Sequence, residues 1–240
     1  MKKVIITGAT SGIGLGLAQE MASKGYIIGA IGRREERLKE LQTSIGEQQC
    51  FIKPLDVTQL DIATEAYTEL INEMGGLDII ILNAGVGRDK MLPQWRSDEQ
   101  IIQVNALAFA HGCHFAFEYF RKQGHGQIVG MSSIASLLAS HKAAAYTATK
   151  HFVSNYMTGY RQKVKRLDAD IVITDIRPGF VESEMTENNK SMFWVSTTEK
   201  AVKQMVSAIE QKKRHVYVTK RWRLIAWIAK IVPQWLWDRI

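Results

Sequence analysis

The feature that most constrains the fold of this sequence is an apolar segment that runs directly into a glycine-rich turn. Residues 3–7 read Lys-Val-Ile-Ile-Thr, which predicts a short buried strand, and residues 8–14 read Gly-Ala-Thr-Ser-Gly-Ile-Gly. A helical pattern over residues 15–24 follows at once. The chain therefore passes from strand to helix within one tight turn, as at the start of a βα unit.

The glycine spacing in this turn suits close backbone contacts. We expect Gly8 to let the chain reverse, Gly12 to let the backbone approach a pyrophosphate, and Gly14 to let the helix pack closely on the strand. A bound anion would then lie at the N-terminus of the helix. The spacing Gly-x-x-x-Gly-x-Gly differs from the commoner Gly-x-Gly-x-x-Gly, and by itself it fits nucleotide binding and simple tight packing equally well.

Short apolar runs alternate with helical patterns along the chain. Predicted strands cover residues 4–7, 27–31, 50–54, 77–82, 127–131, 171–176 and 216–218, and predicted helices lie near residues 15–24, 34–44, 62–74, 106–122, 146–166 and 199–212. This alternation predicts an α/β fold, a doubly wound parallel sheet of about seven strands with helices on both faces. The length of 240 residues and the hydrophobic content of 46% fit one large domain without a low-complexity linker.

A serine, a tyrosine and a lysine form the second informative pattern. Tyr146 and Lys150 lie four residues apart, and Ser133 lies thirteen residues before the tyrosine. If Tyr146 opens a helix, this spacing puts the phenol and the ammonium on one face, where the cation can stabilise a phenolate. Taken alone, Tyr-x-x-x-Lys is a common pattern that usually marks an exposed helix face.

Together with the glycine turn, these three residues resemble the pattern of the short-chain dehydrogenase/reductase family. The resemblance covers about residues 1–218 and extends to Asn83-Ala84-Gly85, Asn105 and Pro178-Gly179, with Ser183 where the family often has threonine. It implies a Rossmann-type fold that binds a nicotinamide cofactor. The residues that it implies for cofactor binding are Gly8, Thr10, Ser11, Gly12, Ile13, Gly14, Arg33, Asp56, Val57, Asn83, Ala84, Gly85, Tyr146, Lys150, Pro178, Gly179, Val181 and Ser183.

The resemblance also implies catalytic roles for four side chains. Ser133 would donate a hydrogen bond to the substrate carbonyl, and Tyr146 would transfer the proton. Lys150 would hold the nicotinamide ribose hydroxyls and lower the pKa of Tyr146, and Asn105 would hold a water that links Lys150 to solvent. We therefore expect an oxidoreductase that interconverts a ketone or aldehyde and an alcohol. The alternative is a non-catalytic nucleotide-sensing or membrane-associated binding protein on the same fold.

The end of the second predicted strand bears on the choice of cofactor. NAD-preferring relatives usually place an acidic residue there, whereas this chain has Gly32 followed by Arg33 and Arg34. A missing carboxylate and a guanidinium that can bind phosphate favour NADP(H). The alternative is that both arginines begin an exposed charged helix, and Ser11, where some NADP(H) users carry a basic residue, argues slightly against NADP(H).

The segment after the Pro-Gly turn bears on the polarity of the substrate. Residues 180–196 are where the family places its substrate lid, and they contain Met185, Met192, Phe193 and Trp194. These side chains would give an apolar cleft for a hydrophobic or lipid-like substrate, with Trp95 lining the same cleft. The alternative is that they only pack within the loop.

The C-terminal segment differs from the rest of the chain. Residues 210–240 carry a net charge of +6, whereas residues 1–209 carry +1, and four of the six tryptophans lie at positions 222, 227, 235 and 237. Basic residues and tryptophans on a short amphipathic segment are typical of an anchor on an anionic membrane surface. The alternative is a helix that covers the substrate pocket or a second subunit. We expect residues 1–219 to be the catalytic domain and residues 220–240 to extend it, without binding nucleic acid.

Several classes of protein are disfavoured by the remaining observations. A predicted strand begins directly after Met1-Lys2-Lys3, so we expect no signal peptide and a cytoplasmic protein, with peripheral contact at the inner face of the membrane as an option. Cys50 and Cys113 predict buried free thiols, and the pair His111 and His114 lacks further ligands, so no metal is expected. Family resemblance implies a homodimer or homotetramer formed through the helices at residues 106–122 and 146–166.

Overall fold

The centre of the fold is one sheet of seven parallel strands. A computed structural model describes residues 1–87, 92, 94–184, 186 and 192–232 of the chain. The strands are β1 (Lys3–Thr7), β2 (Ile27–Gly32), β3 (Cys50–Pro54), β4 (Ile79–Leu82), β5 (His125–Met131), β6 (Asp170–Pro178) and β7 (His215–Val218). Their order in the sheet is β3-β2-β1-β4-β5-β6-β7. The predicted parallel sheet is confirmed.

Helices cover both faces of this sheet. Within the described residues they are α1 (Gly12–Ser23), α2 (Glu35–Ile45), α3 (Leu60–Met74), α4 (Trp95–Ile102), α5 (Phe109–Gln123), α6 (Ala144–Arg166), α7 (Thr198–Glu210) and α8 (Trp222–Ile231). On one face α1, α2 and α7 cover Ile6 and Ile81, and on the other face α3, α5 and α6 cover Ile5 and Ile80. Because both faces are buried, the strands are continuous apolar runs instead of alternating ones.

The direction of winding reverses at β1. The chain moves from β1 to β2 and β3 on one side, and then returns to β4 on the other side of β1. In a doubly wound sheet, the connections that leave the carboxyl ends of these two strands diverge and open a crevice between them. The glycine turn after β1 and Asn83, which follows β4, lie at this edge of the sheet.

The segment before α5 differs from the sequence prediction. A helix was expected to begin near residue 106, but α4 begins at Trp95 and continues through a π-helical stretch, Gln103–Ala108, into α5. Because a π-helical turn takes an extra residue, it shifts the apolar pattern out of the 3.6-residue period. The prediction therefore missed the first part of the helix. Asn105 lies inside the π-helical stretch.

The C-terminal helix α8 packs against the edge of the fold next to β7. Its first residue, Trp222, is 2% exposed and packs with Ile134 and Ala226, whereas Trp227 is 58% exposed. The predicted tryptophans at 235 and 237 lie outside the described residues. No helix in the described part of the chain combines the length and the apolar character needed to cross a bilayer.

Candidate active site

The turn after β1 is shaped by backbone conformations that side chains would obstruct. Gly8 and Gly12 have φ values of +71° and +51°, in the left-handed region that favours glycine. A Cβ on Gly8 would lie 2.9 Å from the Ala84 Cα, and a Cβ on Gly14 would collide with the Gly8 carbonyl oxygen. The Ser11 side chain does not cap α1. The first N–H groups of α1 are therefore left without a side-chain partner from Ser11, as an anion site requires.

Asn83 holds the end of β4 against this turn. Its backbone N–H donates to the Thr7 hydroxyl at 3.0 Å, and its side-chain Nδ2 donates to the carbonyl oxygens of Thr7 at 3.1 Å and Gly8 at 3.3 Å. The backbone N–H of Ala84 donates to the same hydroxyl at 3.1 Å. Residues 83–85 are thus fixed beside the glycine turn, at the edge where the crevice opens.

Ser133, Tyr146 and Lys150 are brought together beyond the end of β5. Ser133 follows β5, accepts a hydrogen bond from the Ala135 N–H at 3.1 Å, and is 8% exposed. Tyr146 lies in the first turn of α6, and Lys150 follows one turn later with its Nζ 5.6 Å from the phenol ring centroid. The Lys150 ammonium donates to the Met131 carbonyl oxygen at 2.9 Å. The predicted shared helix face is present.

Burial sets the titration of these groups. It raises the pKa of the Tyr146 phenol, because it disfavours the phenolate, and the neighbouring Ser133 hydroxyl partly opposes this effect. It also lowers the pKa of Lys150 to about 8, with the charge of Asp175 acting in the opposite direction. The net direction is thus opposite to the lowering predicted from Lys150, and the effect of Lys150 on the phenol stays a prediction. At neutral pH the phenol is in the protonated form, which can donate a proton.

Asn105 lies behind the site and is 1% exposed. Its Oδ1 accepts from the Val86 N–H at 2.8 Å, and its Nδ2 donates to the Val86 carbonyl oxygen at 2.8 Å and to the Thr149 hydroxyl at 3.2 Å. A Cβ on Gly85 would lie 3.4 Å from both Asn105 Oδ1 and Lys150 Nζ. Asn105 thus joins the loop after β4 to α6 close to Lys150, and its role in holding a water stays a prediction.

The opposite end of the crevice carries the two arginines after β2. A Cβ on Gly32 would lie 2.5 Å from Thr10 Cγ2, so a carboxylate side chain at this position would require Thr10 to shift. Arg34 donates to the Thr10 hydroxyl and forms an ion pair of 2.9 Å with Glu184. Arg33 is 3.9 Å from the Asp56 carboxylate. Arg33 is therefore the less tightly paired guanidinium of the two.

These features line one cleft with a volume of about 560 Å³. Every residue predicted to bind the cofactor contributes to its wall, as does Ser133, whereas Asn105 lies behind the wall. Sequence reasoning missed several lining residues, which include Val86, Gln100, Glu184 and Thr186. Of these, Thr186 accepts from the Ser183 N–H at 3.0 Å. Val86 and Glu184 directly follow the predicted residues Gly85 and Ser183, so their positions could have been found from the sequence, whereas Gln100 on α4 reaches the cleft only through packing of a separate element.

Aromatic side chains cluster around Gly179, which lines the cleft. Trp222 packs against Phe180, Phe193 and Trp194, with ring centroids 5.6, 5.1 and 5.7 Å away. A Cβ on Gly179 would collide with the Trp222 indole. The prediction for Trp95 is wrong: it is 70% exposed, and Gln100 and its neighbours line the cleft from that helix instead. Met185 lies outside the described residues.

The cysteines and histidines considered as possible metal ligands are not among the residues that line the cleft. Cys50 and Cys113 are free and buried, and burial raises the pKa of the Cys50 thiol to about 12. Nε2 of His111 is 3.1 Å from the Thr64 hydroxyl. Among the residues with described positions, no three His, Cys, Asp or Glu side chains are grouped as metal ligands would be.

Comparison with known proteins places this geometry in a family. The model of the short chain dehydrogenase family matches residues 2–194. The chain is 34% identical to an uncharacterised oxidoreductase of Myxococcus xanthus, across 99% of this chain and 95% of that protein. The chain has the same fold as a short-chain dehydrogenase/reductase of Burkholderia phymatum in complex with NAD (TM-score 0.85, 18% identity, 94% of this chain and 91% of that one). It also has the fold of a short-chain dehydrogenase of Sphingobium yanoikuyae in complex with NADPH (TM-score 0.83, 20% identity, 98% and 97%). The chain therefore belongs to the short-chain dehydrogenase/reductase family of oxidoreductases.

Proposed function

We propose that this protein is an NADP(H)-dependent oxidoreductase that interconverts a ketone or aldehyde and an alcohol on a hydrophobic substrate. The observation that carries the proposal is the placement of Ser133, Tyr146 and Lys150 at one end of the cleft that the glycine turn opens. The N-terminus of α1, which the Ser11 side chain leaves uncapped, and the turn that excludes side chains suit a dinucleotide pyrophosphate. The cofactor, when bound, supplies or accepts the hydride.

In this proposal each side chain of the site has a separate task. Tyr146, protonated at neutral pH, donates its proton to the carbonyl oxygen during reduction and accepts it during oxidation. The Ser133 hydroxyl donates a hydrogen bond to the same oxygen and keeps it beside the phenol. Lys150 would hold the ribose hydroxyls of the cofactor, and its ammonium would stabilise a phenolate when one forms. Asn105 fixes the loop that carries Gly85 beside that ammonium.

Replacement of Tyr146 by Phe tests the reaction. It removes the transferable proton and keeps the ring, so turnover of NADPH against a panel of hydrophobic ketones and aldehydes should fall by roughly 10²–10⁴-fold, with NADPH binding retained. Tyr156→Phe is the matched control, because Tyr156 lies on the same helix and stacks on Phe152. Near-normal turnover by Tyr146→Phe would refute the assignment of the proton donor.

The preference for NADP(H) is supported by Arg33 and by the absence of a carboxylate at Gly32, where a side chain would crowd Thr10. Arg33→Ala should weaken NADPH binding by about 1.5–3 kcal/mol, the range for a charge-assisted hydrogen bond, and leave NADH binding nearly unchanged. Arg37→Ala on α2 is the control, since Arg37 pairs with Glu40 at 3.8 Å within its own helix. Equal losses for NADPH and NADH, measured by fluorescence titration, would show that Arg33 is structural.

A hydrophobic substrate is supported by the apolar side chains that directly follow Ser133 and Gly179. Ile134 follows Ser133, Phe180 follows Gly179, and both belong to the apolar cluster around Trp222. Phe193 and Trp194, which pack on Trp222, are 51 and 39% exposed, so a carbonyl with an apolar substituent would bury that substituent against them. Within the panel, kcat/KM should therefore rise with the apolar area of the substrate. A panel in which small polar carbonyls are preferred would contradict this part of the proposal.

Contact with an anionic membrane is supported by the outer face of α8. Leu224, Trp227 and Ile228 are exposed by 57, 58 and 45%, and residues 211–232 contain no Asp or Glu. Such a face would bind anionic vesicles at low salt and release them as salt screens the attraction. The sequence marks Trp222 and Trp227 alike for this contact, but Trp222 is buried, so we assign the role to Trp227. The Trp227→Ala variant should no longer sediment with the vesicles. If the unaltered protein does not sediment with them at low salt, the contact is excluded.

A homodimer or homotetramer is supported by exposed apolar side chains near and on α5 and α6, of which Leu107 and Phe152 are 53 and 39% exposed. Phe152→Lys should reduce the mass measured by light scattering to that of a monomer, because it places a charge in a buried interface. Ile62→Lys on α3 is the control, since Ile62 is also exposed, by 50%. A monomeric unaltered protein would refute this assembly.

A further inference from the structure

Asp175 is a fully buried carboxylate that the site described above does not use. It lies on β6, where Oδ1 accepts a hydrogen bond from the Ser132 hydroxyl. Oδ2 accepts from the Ser154 hydroxyl at 2.9 Å and from Arg177 Nε at 2.9 Å, and it lies 3.5 Å from His215 Nδ1. A buried charge is costly even when it is paired, and an apolar residue would pack here at lower cost.

The partners of Asp175 are the immediate neighbours of the candidate catalytic residues. Ser132 precedes Ser133 at the end of β5 and follows Met131, whose carbonyl accepts from Lys150. Ser154 lies one turn after Lys150 on α6. The carboxylate therefore joins β5 and α6, the two elements that carry the site, directly below the site itself.

The charges around Asp175 are mostly positive. Arg177 lies on its own strand, His215 on β7, and Lys150 and Arg161 on α6, and Asp175 interacts electrostatically with each of them. Lys150 is only 6% exposed, so burial disfavours its ammonium form. The charge of Asp175 opposes that effect, and it lowers the cost of keeping a cation in the cleft wall.

We propose that Asp175 is a positioning residue for the candidate active site, whose buried carboxylate stabilises the ammonium form of Lys150. Through Ser132 and Ser154 it also fixes the end of β5 against the middle of α6. The proposal rests on the proposed function for the role of Lys150, but the protonation state of Lys150 can be measured without any turnover. A purely structural role, in which Asp175 only neutralises Arg177, predicts no effect on the titration of Lys150.

Two substitutions with opposite expected effects separate these roles. Asp175→Asn removes the negative charge and should lower the pKa of Lys150 by on the order of one unit. Arg177→Gln removes a positive charge, leaves the carboxylate less neutralised, and should raise the pKa of Lys150. General damage to the packing would move Lys150 in the same direction in both variants, so a pair of opposite shifts supports an electrostatic role.

Competitive acetylation with acetic anhydride, read by mass spectrometry from about pH 6 to pH 10, gives the midpoint for each lysine in the full-length protein without added cofactor. Lys150 should titrate near its pKa of about 8 in the unaltered protein, and the two variants should shift it in opposite directions. The exposed Lys39 on α2, which pairs with Glu35 at 2.9 Å, is the internal control and should be unaffected.

An unchanged Lys150 midpoint in folded Asp175→Asn overturns the inference, whatever its turnover. If that variant unfolds because Arg177 is left unpaired, the double variant Asp175→Asn/Arg177→Gln removes the orphaned cation, and Arg177→Gln alone remains as a test. A midpoint in Arg177→Gln that fails to rise also overturns it. Opposite shifts in a protein without any nicotinamide-dependent turnover would contradict the proposed function and leave the role of Asp175 supported.

Discussion

Replacement of Trp222 by Ala tests how strongly α8 is held on the fold. Trp222 is 2% exposed and contacts the rings of Phe180, Phe193 and Trp194, whereas Trp227, on the same helix, is 58% exposed. The two tryptophans share a helix and a residue type, so they differ mainly in burial. Trp227→Ala is therefore the matched control for Trp222→Ala.

The expected magnitude follows from the buried surface. A buried tryptophan removes roughly 150–250 Å² from water, which at about 25 cal/mol per Å² gives an upper estimate of about 4–6 kcal/mol. Measured Trp→Ala substitutions in cores cost about 3–5 kcal/mol. In a protein of this size, that loss lowers the melting temperature by roughly 6–20 °C. Trp227→Ala should change stability by at most about 0.5 kcal/mol, as surface substitutions usually do.

Thermal unfolding by circular dichroism and limited proteolysis at residues 220–232 measure the effect together. If α8 unfolds with the rest of the fold, Trp222→Ala lowers the melting temperature. If α8 separates first, the loss appears as faster cleavage within the helix. Equal melting temperatures and equal cleavage rates for the two variants would refute the conclusion that Trp222 holds α8 on Phe180, Phe193 and Trp194.

Three further predictions concern buried groups and the crevice. Ellman's reagent should not label Cys50 or Cys113 in the native protein, because burial raises both thiol pKa values; labelling without denaturant would contradict their burial. The pKa of Asp175 is held at about 2, below 3.8, because its hydrogen bonds and cationic neighbours outweigh burial, so its carboxylate stabilises the fold above about pH 4. That contribution is lost as the pH falls through about 2, and acid unfolding of Asp175→Asn should lack this step. Gly32→Asp should weaken NADPH binding without strengthening NADH binding, because its Cβ would lie 2.5 Å from Thr10 Cγ2; a gain of NADH affinity would refute this steric argument.

The sheet could be predicted from the sequence because the residues that specify each strand are adjacent in the chain. Strands buried on both faces are continuous apolar runs, as at residues 79–82, and the glycine turn needs φ values that the residue type itself permits. The spacing of Tyr146 and Lys150 also fixes their shared face through the period of one helix. These features depend on neighbours within a few residues.

Other features required the tertiary structure, because they depend on groups far apart in the chain. The sequence marks Trp222 and Trp227 alike, and only the position of Gly179 and Phe180 decides that the first is buried. The rise in the Tyr146 pKa comes from burial, which no local spacing reports. Asp175 meets Ser132 and Ser154 across separations of 43 and 21 residues, since β5, β6 and α6 place them side by side only after the crossovers have folded. Burial and long-range pairing set the electrostatics of the site, and the residue pattern alone does not contain them.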